Sequence, residues 1–302
     1  MDKLLENTIT FIGIIAIGFL LKKIGVFKDN DHQVITKIAF HITAPAAVII
    51  NFSNMQSDWS YLLLIGFGLL CNLIAAASAY AASRKNAASE KAVFLLMTPG
   101  YNINSFALPY AQSFLGPAGV VPVCLFDMGN AVMTLGGNYA LASWAIYGSS
   151  KSGLREVGRR MMRSTPFIAC IVMLMLVSCN LRLPNFAISM ASFIAMANGP
   201  ISMLALGAML ELNMDKQNLM LAFKALGLRY VVNLALAVAV YALMPFSAGL
   251  RQAIIFGLFA PMSALAPMYV EKCNGNTAAA SIAGSISILI SMAAITLILL
   301  FL

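Results

Sequence analysis

The acidic residue set deepest in an apolar run of this chain is Asp127, within Leu125-Phe126-Asp127-Met128-Gly129-Asn130-Ala131. A carboxylate at the centre of a membrane helix costs about 2.5–3.5 kcal/mol even on the lenient insertion scale. Such a group must face a cavity, meet a cation or carry a proton. Its blander role is to brace a neighbouring interrupted helix. Asn130 lies one turn further on, and His41 sits in another apolar run. An unperturbed imidazole titrates near pH ~6.5, so His41 is open both as a proton relay and as an ordinary hydrogen-bonding side chain. Asp127, Asn130 and His41 are the candidates for ion coupling.

A second group of polar residues interrupts two hydrophobic segments. The first segment runs Met97-Thr98-Pro99-Gly100-Tyr101-Asn102-Ile103-Asn104-Ser105-Phe106-Ala107-Leu108-Pro109. The second runs Phe259-Ala260-Pro261-Met262-Ser263-Ala264-Leu265-Ala266-Pro267. Proline removes a backbone donor and clashes with the preceding turn. In hydrocarbon the freed groups need protein or a wet cavity around them. A matched pair of interrupted spans points to a transporter's binding site. Asn102, Asn104, Ser105, Pro109, Pro261, Ser263 and Pro267 are therefore the substrate-binding candidates. Unwound backbone and helix N-termini favour anions. No basic residue is expected at a span centre, so exposed peptide groups would be the means of holding a carboxylate. The amides could instead serve only the kinked backbone.

These residues need a membrane scaffold. Hydrophobic residues make up 61% of the 302 and charged residues 10%, far below the ~25% charged content of soluble domains; mean hydropathy is +0.86. Runs near 4–21, 33–54, 61–83, 92–114, 118–147, 165–181, 187–211, 219–246, 250–271 and 277–301 are long enough to span a bilayer. The fold class expected is an all-α polytopic membrane protein with ten transmembrane helices. The first run lacks a cleavage site and is followed by Lys22-Lys23, unlike a signal peptide. With the N-terminus outside, sixteen of the nineteen Lys and Arg residues fall in or beside cytoplasmic loops, leaving Lys3, Arg182 and Arg251. That asymmetry sets a multi-pass orientation with both termini outside. It also makes the net charge of +8 a membrane signature, and a nucleic-acid partner is not expected.

The longest polar stretch, 148–164, divides the chain into a first repeat, 1–147, and a second, 165–302. Its basic residues interleave with Leu154, Val157, Met161 and Met162, which suits the inner leaflet. Five spans per half is an odd number, so the halves enter from opposite sides as inverted repeats. Pro45 and Pro200 each fall in the second span of their half, and the interrupted segments are spans four and nine. The cysteines, Cys71, Cys124, Cys170, Cys179 and Cys273, show no metal or redox spacing and read as small buried side chains.

Ten spans in two inverted halves, Asn102 seven residues before Pro109, and a partner interruption at Pro261 and Pro267 resemble the auxin efflux carrier family, within the bile-acid/sodium symporter superfamily. The resemblance covers essentially the whole chain. It implies a scaffold of spans 1, 2, 6 and 7, a mobile core of spans 3–5 and 8–10, helices four and nine crossing at the substrate, and elevator-type alternating access. It implies that Asn102 contacts a substrate carboxylate while the crossover prolines set its geometry. Plant members move indole-3-acetate and dimerise; bacterial members, short like this chain, are associated with malate, malonate and similar acids. A bacterial inner-membrane location and a homodimer follow from the same likeness. The basic linker here is much shorter than the cytoplasmic loop of many plant members.

The expected function is secondary transport of a small mono- or dicarboxylate, with no cofactor and either H+ or Na+ as coupling ion. The alternatives are ion-coupled symport of a larger amphipathic anion, or a channel or receptor. An enzyme is not expected. Asp127 has no acidic partner for aspartyl proteolysis, His32 and His41 lack zinc-ligand spacing, aspartate-rich clusters are missing, and there is no Walker-type phosphate loop.

Overall fold

The computed structural model describes residues 2–28, 30–53, 55, 62–150, 153–211, 215–244 and 246–301. The expected ends of span two at 54 and span three at 61, residue 245 of span eight, and Lys151 and Ser152 of the linker lie outside the described residues. Among the described residues the chain is all helical, with a single isolated β-bridge.

Among the described residues, six helices are long and apolar enough to cross a membrane. They are α2 (Asp31–Ser53), α3 (Leu63–Ala82), α6 (Gly116–Tyr147), α9 (Asn185–Met209), α10 (Lys216–Leu243) and α13 (Thr277–Phe301), the last over Thr277–Leu299. Helix α1 (Asp2–Lys23) matches the first expected run and has 22 residues. The fourth run is divided into α4 (Ala88–Met97) and α5 (Leu108–Phe114). The ninth is divided into α11 (Ala248–Leu258) and α12 (Ala266–Lys272). The polar linker contains α7 (Leu154–Met161), which meets the 14-residue α8 (Thr165–Ser178) at a 74° bend; counted as one span, the pair brings the six to seven. The chain is thus a polytopic membrane protein by helix length and composition.

Proline shapes the helices locally. A π turn at Ala39–Thr43 ends just before Ala44-Pro45, and another at Ile103–Ala107 ends just before Leu108-Pro109. The wider turn moves backbone pairing away from i−4, the carbonyl that a proline ring would strike. At Pro200 the adjustment is a break: α9 is interrupted by a turn at Met196-Ala197 before resuming at Asn198.

Close helix packing uses glycine. A Cβ at Gly129 would stand 1.9 Å from the Ile65 carbonyl oxygen, and one at Gly68 would stand 2.0 Å from that of Phe126. Helices α3 and α6 therefore touch backbone to backbone. Gly18 and Gly207 do the same for α1 and α9, at 2.4 Å and 2.1 Å from Leu204 and Ile15 oxygens. Lipid offers leucine no less than another helix does, so close van der Waals approach is a main source of cohesion here. The linker helix α7 is fastened by Arg160, which donates to Tyr269 Oη at 2.8 Å and to the Leu135 carbonyl at 3.4 Å.

Candidate functional site

Helix α4 stops where Pro99 cannot donate and where Gly100 turns into the left-handed region at φ +86°. Helix α11 stops before Pro261 for the same reason. The two unwound segments then pass each other in contact. The Asn102 N–H donates to the Pro261 carbonyl at 2.8 Å, and Tyr101 forms an antiparallel bridge with Met262.

Each ending helix leaves carbonyls without intrahelical partners. Here they are taken up by α10. Arg229 donates to the Thr98 carbonyl at 2.6 Å, the Met97 carbonyl at 3.4 Å and the Ala260 carbonyl at 3.0 Å. One turn on, Asn233 donates to the Leu258 carbonyl at 2.8 Å and accepts from Tyr101 Oη at 3.0 Å. The Arg229 guanidinium also lies 4.9 Å from the centre of the Tyr101 ring. A cation at a helix C-terminus opposes the partial negative charge there, and Arg229 does so for two helices at once. This corrects two expectations. Arg229 is a fully buried residue in the middle of a 28-residue helix and not part of a basic flank. A span centre therefore does hold a basic residue, but it is committed to the carbonyl side of the crossing.

The other edge of Tyr101 is held by an amide chain. Asn130 accepts from the Tyr101 N–H at 3.0 Å and donates to the Tyr101 carbonyl at 2.8 Å. Asn72 accepts from the Gly100 N–H at 2.7 Å and donates to Asn130 Oδ1 at 3.2 Å. Asp127 joins this chain: Asn130 Nδ2 donates to Oδ1 at 2.7 Å and Asn104 Nδ2 donates to Oδ2 at 2.6 Å. No Lys, Arg or His pairs with Asp127 among the described residues.

The amide ends of the same segments open on cavities. One, of about 280 Å³, is lined by Asn102, Asn104, Ser105, Asp127, Asn130 and Ser263 from the crossing side and by Lys37, Phe40 and His41 of α2. A second, of about 180 Å³, lies against Asn102, Ser263 and Pro267, with Glu211, Ser281 and Ser285 opposite. Asn102, Ser263 and Ala264 border both, so the crossing is the partition between them. Asn102 stands at the N-cap position of the helical segment that starts at Ile103 but makes no capping bond. Its side-chain amide and the Ser105 hydroxyl have no protein partner among the described residues. The first four N–H groups of a helix have no intrahelical acceptor, and of the residues that carry them here Ile103, Asn104 and Ser105 line this wall.

Most of the residues singled out from the sequence meet here, with three exceptions. Pro109 is buried at the start of α5, away from both cavities. Pro261 acts through its carbonyl rather than by facing a cavity. His41 is on the cavity wall but bonds to Thr165 Oγ1, at 3.0 Å from Nδ1, and makes no hydrogen bond to Asp127. Sequence reasoning missed Asn72, Arg229 and Asn233. Their signal was available: each is a polar residue inside an otherwise apolar run, and Arg229 and Asn233 are spaced i, i+4 on one helix face. No cluster of three or more His, Cys, Asp or Glu side chains is placed to bind a metal among the described residues.

A chain with these features falls in the class of all-helical, multi-pass membrane proteins with a paired helix interruption. No family model matches it, and no curated protein matches it.

Proposed function

We propose that the protein is a secondary transporter of a small organic anion, a mono- or dicarboxylate, working by elevator-type alternating access. Ten spans in two inverted five-helix repeats form the body, with both termini outside a bacterial inner membrane. Spans 1, 2, 6 and 7 are the scaffold; spans 3–5 and 8–10 are the moving core. The carboxylate is received by Asn102, Asn104, Ser105 and Ser263 with the N–H groups at 103–105, and Pro109, Pro261 and Pro267 keep the segments interrupted.

One observation carries this reading: the crossing has chemically opposite sides. The carbonyls that end α4 and α11 are taken by Arg229 and Asn233, whereas Ile103, Asn104 and Ser105, at the start of the next helical segment, line a cavity. A negatively charged guest is favoured on the donor side. The position of the cavities also supports it. Each has one wall from the proposed scaffold, α2 or α9, and one from the proposed core. Sliding core against scaffold would change which cavity is open while the partition travels with its guest.

The test is thermal unfolding of purified protein against a panel of mono- and dicarboxylates. A ligand of the folded state raises stability by RT ln(1 + [L]/Kd). At least one small carboxylate should raise Tm in the wild type and fail to do so in Asn102→Ala. Equal stabilisation of both, or of neither, rejects the site.

A further inference from the structure

We propose that the coupling ion of this carrier is the proton, taken up by Asp127 Oδ2 as the anion binds; this rests on the transporter reading above. The argument begins with what surrounds the two carboxylate oxygens. A sodium ion is held by oxygen ligands, whereas both Asp127 oxygens meet amide N–H groups. Rotating an asparagine amide normally exchanges its N and O, but Asn130 cannot be turned. Its Oδ1 accepts from the Tyr101 N–H while its Nδ2 donates to the carbonyl of the same residue. Reversal would set donor against donor and acceptor against acceptor. Oδ1 of Asp127 therefore keeps an N–H neighbour.

Oδ2 is different. Its donor, Asn104, makes no other hydrogen bond among the described residues. When Oδ2 takes a proton from cavity water, the Asn104 amide turns over and its oxygen accepts the new O–H. Asn104 belongs to the π turn that also carries Ser105 and follows Asn102. The protonation state of Asp127 is thereby read by the residues that receive the carboxylate. An ionised Asp127 on the wall of the anion's cavity repels the guest, and a neutral one does not. Binding one anion and one proton together follows by linkage, and each promotes the other by the same factor. The proton leaves Oδ2 when the guest departs on the far side.

Other titratable or charged groups face Asp127. Lys37 and His41 come from α2, Tyr101 from the interruption, Cys170 from α8 and Cys124 from α6 itself. Lys37 and His41 are the rivals for the proton.

The experiment uses full-length protein in liposomes, with radiolabelled malonate and benzoate as probes and protein-free liposomes subtracted. Wild-type counterflow of at least one acid, and accumulation driven by an inward proton gradient equally well in sodium and in choline buffers, are expected. Asp127→Asn should lose the gradient-driven accumulation, and its exchange should become flat across the pH range that titrates the wild type. Asn104→Ala removes a charge-assisted bond to the ionised carboxylate but only a weaker, neutral one to the protonated form, so its transport midpoint should move to higher pH by about half a unit or more. If Asp127→Asn is inactive or unfolded, that shift decides the question. Several results overturn the proposal: wild-type accumulation that needs sodium or ignores the proton gradient, an unmoved Asn104→Ala midpoint, or coupling lost in His41→Gln or Lys37→Gln but kept in Asp127→Asn. Absence of wild-type counterflow with both acids instead removes the carrier reading, and this proposal with it.

Discussion

Arg229 and Asn233 stand one turn apart on α10, and between them they hold carbonyls of both interrupted passages, at Met97 and Thr98 on one side and Leu258 and Ala260 on the other. A single helix face thus fixes the crossing from its carbonyl side. The arrangement leaves the peptide donors at 103–105 and the Asn102 side-chain amide for the cavity.

Arg229→Met should unfold the crossing. Up to three carbonyls would be left buried without donors, at about 1–3 kcal/mol each, so a loss above ~3 kcal/mol is expected. Arg229→Lys should fall between, because a point charge on a flexible stem cannot reproduce a planar fork reaching two chain segments. Denaturant or thermal unfolding in detergent gives the order wild type, Lys, Met.

Gly100→Ala should weaken the first interruption by about 1–3 kcal/mol, since a left-handed backbone disfavours any Cβ. The new methyl would also lie 3.1 Å from Asn138 Nδ2 and 3.3 Å from Ser263 Cβ. The same variant should reduce carboxylate-induced stabilisation, because Ser263 is displaced from the other segment.

Gly129→Ala should prevent α3 and α6 from closing, its methyl falling 1.9 Å from the Ile65 oxygen. Gly13→Ala is the control: a methyl there meets nothing within 4 Å, and the helix gains up to about 1 kcal/mol in propensity. Size-exclusion profiles in detergent should show aggregation for the first and a wild-type peak for the second.

Asn102→Ala and Asn130→Ala should fail differently. Asn102 makes no side-chain bond to protein among the described residues, so its loss should spare Tm and abolish ligand stabilisation. Asn130 holds both polar groups of Tyr101 as well as Asp127, so its loss should lower Tm with no ligand present.

Glu156 should make the linker helix sensitive to acid. Its hydrogen bond from Arg160, with the charges of Arg159 and Arg160 nearby, holds its carboxyl below the ordinary range. A depressed folded value means the stabilisation is complete above the unfolded carboxylate pKa and is lost as pH falls through the folded one. Hydrogen exchange at 154–161, corrected for intrinsic rates, should therefore quicken on acidification. Glu156→Gln should remove that pH dependence, and high salt should mute it, since exposed charges are screened.

The membrane class, the helical content and the places where helices are interrupted were legible in the chain because each has a local cause. Hydrocarbon requires long apolar runs, and proline past the first turn of a helix removes the pairing to i−4. Asp127 was conspicuous for the same kind of reason, as a charge where solvation is poor. What lies across the fold was not legible. Arg229 meets Thr98 from 131 residues away, and Asn72 meets Gly100 from 28. By sequence alone Arg229 was one more basic residue near a helix end, and Asn104 was not visibly a partner of Asp127. Only the tertiary structure decided which side of the crossing is saturated and which is open. Satisfaction of a buried carbonyl depends on whatever donor the packing brings within about 3 Å, and no periodicity along the chain encodes that.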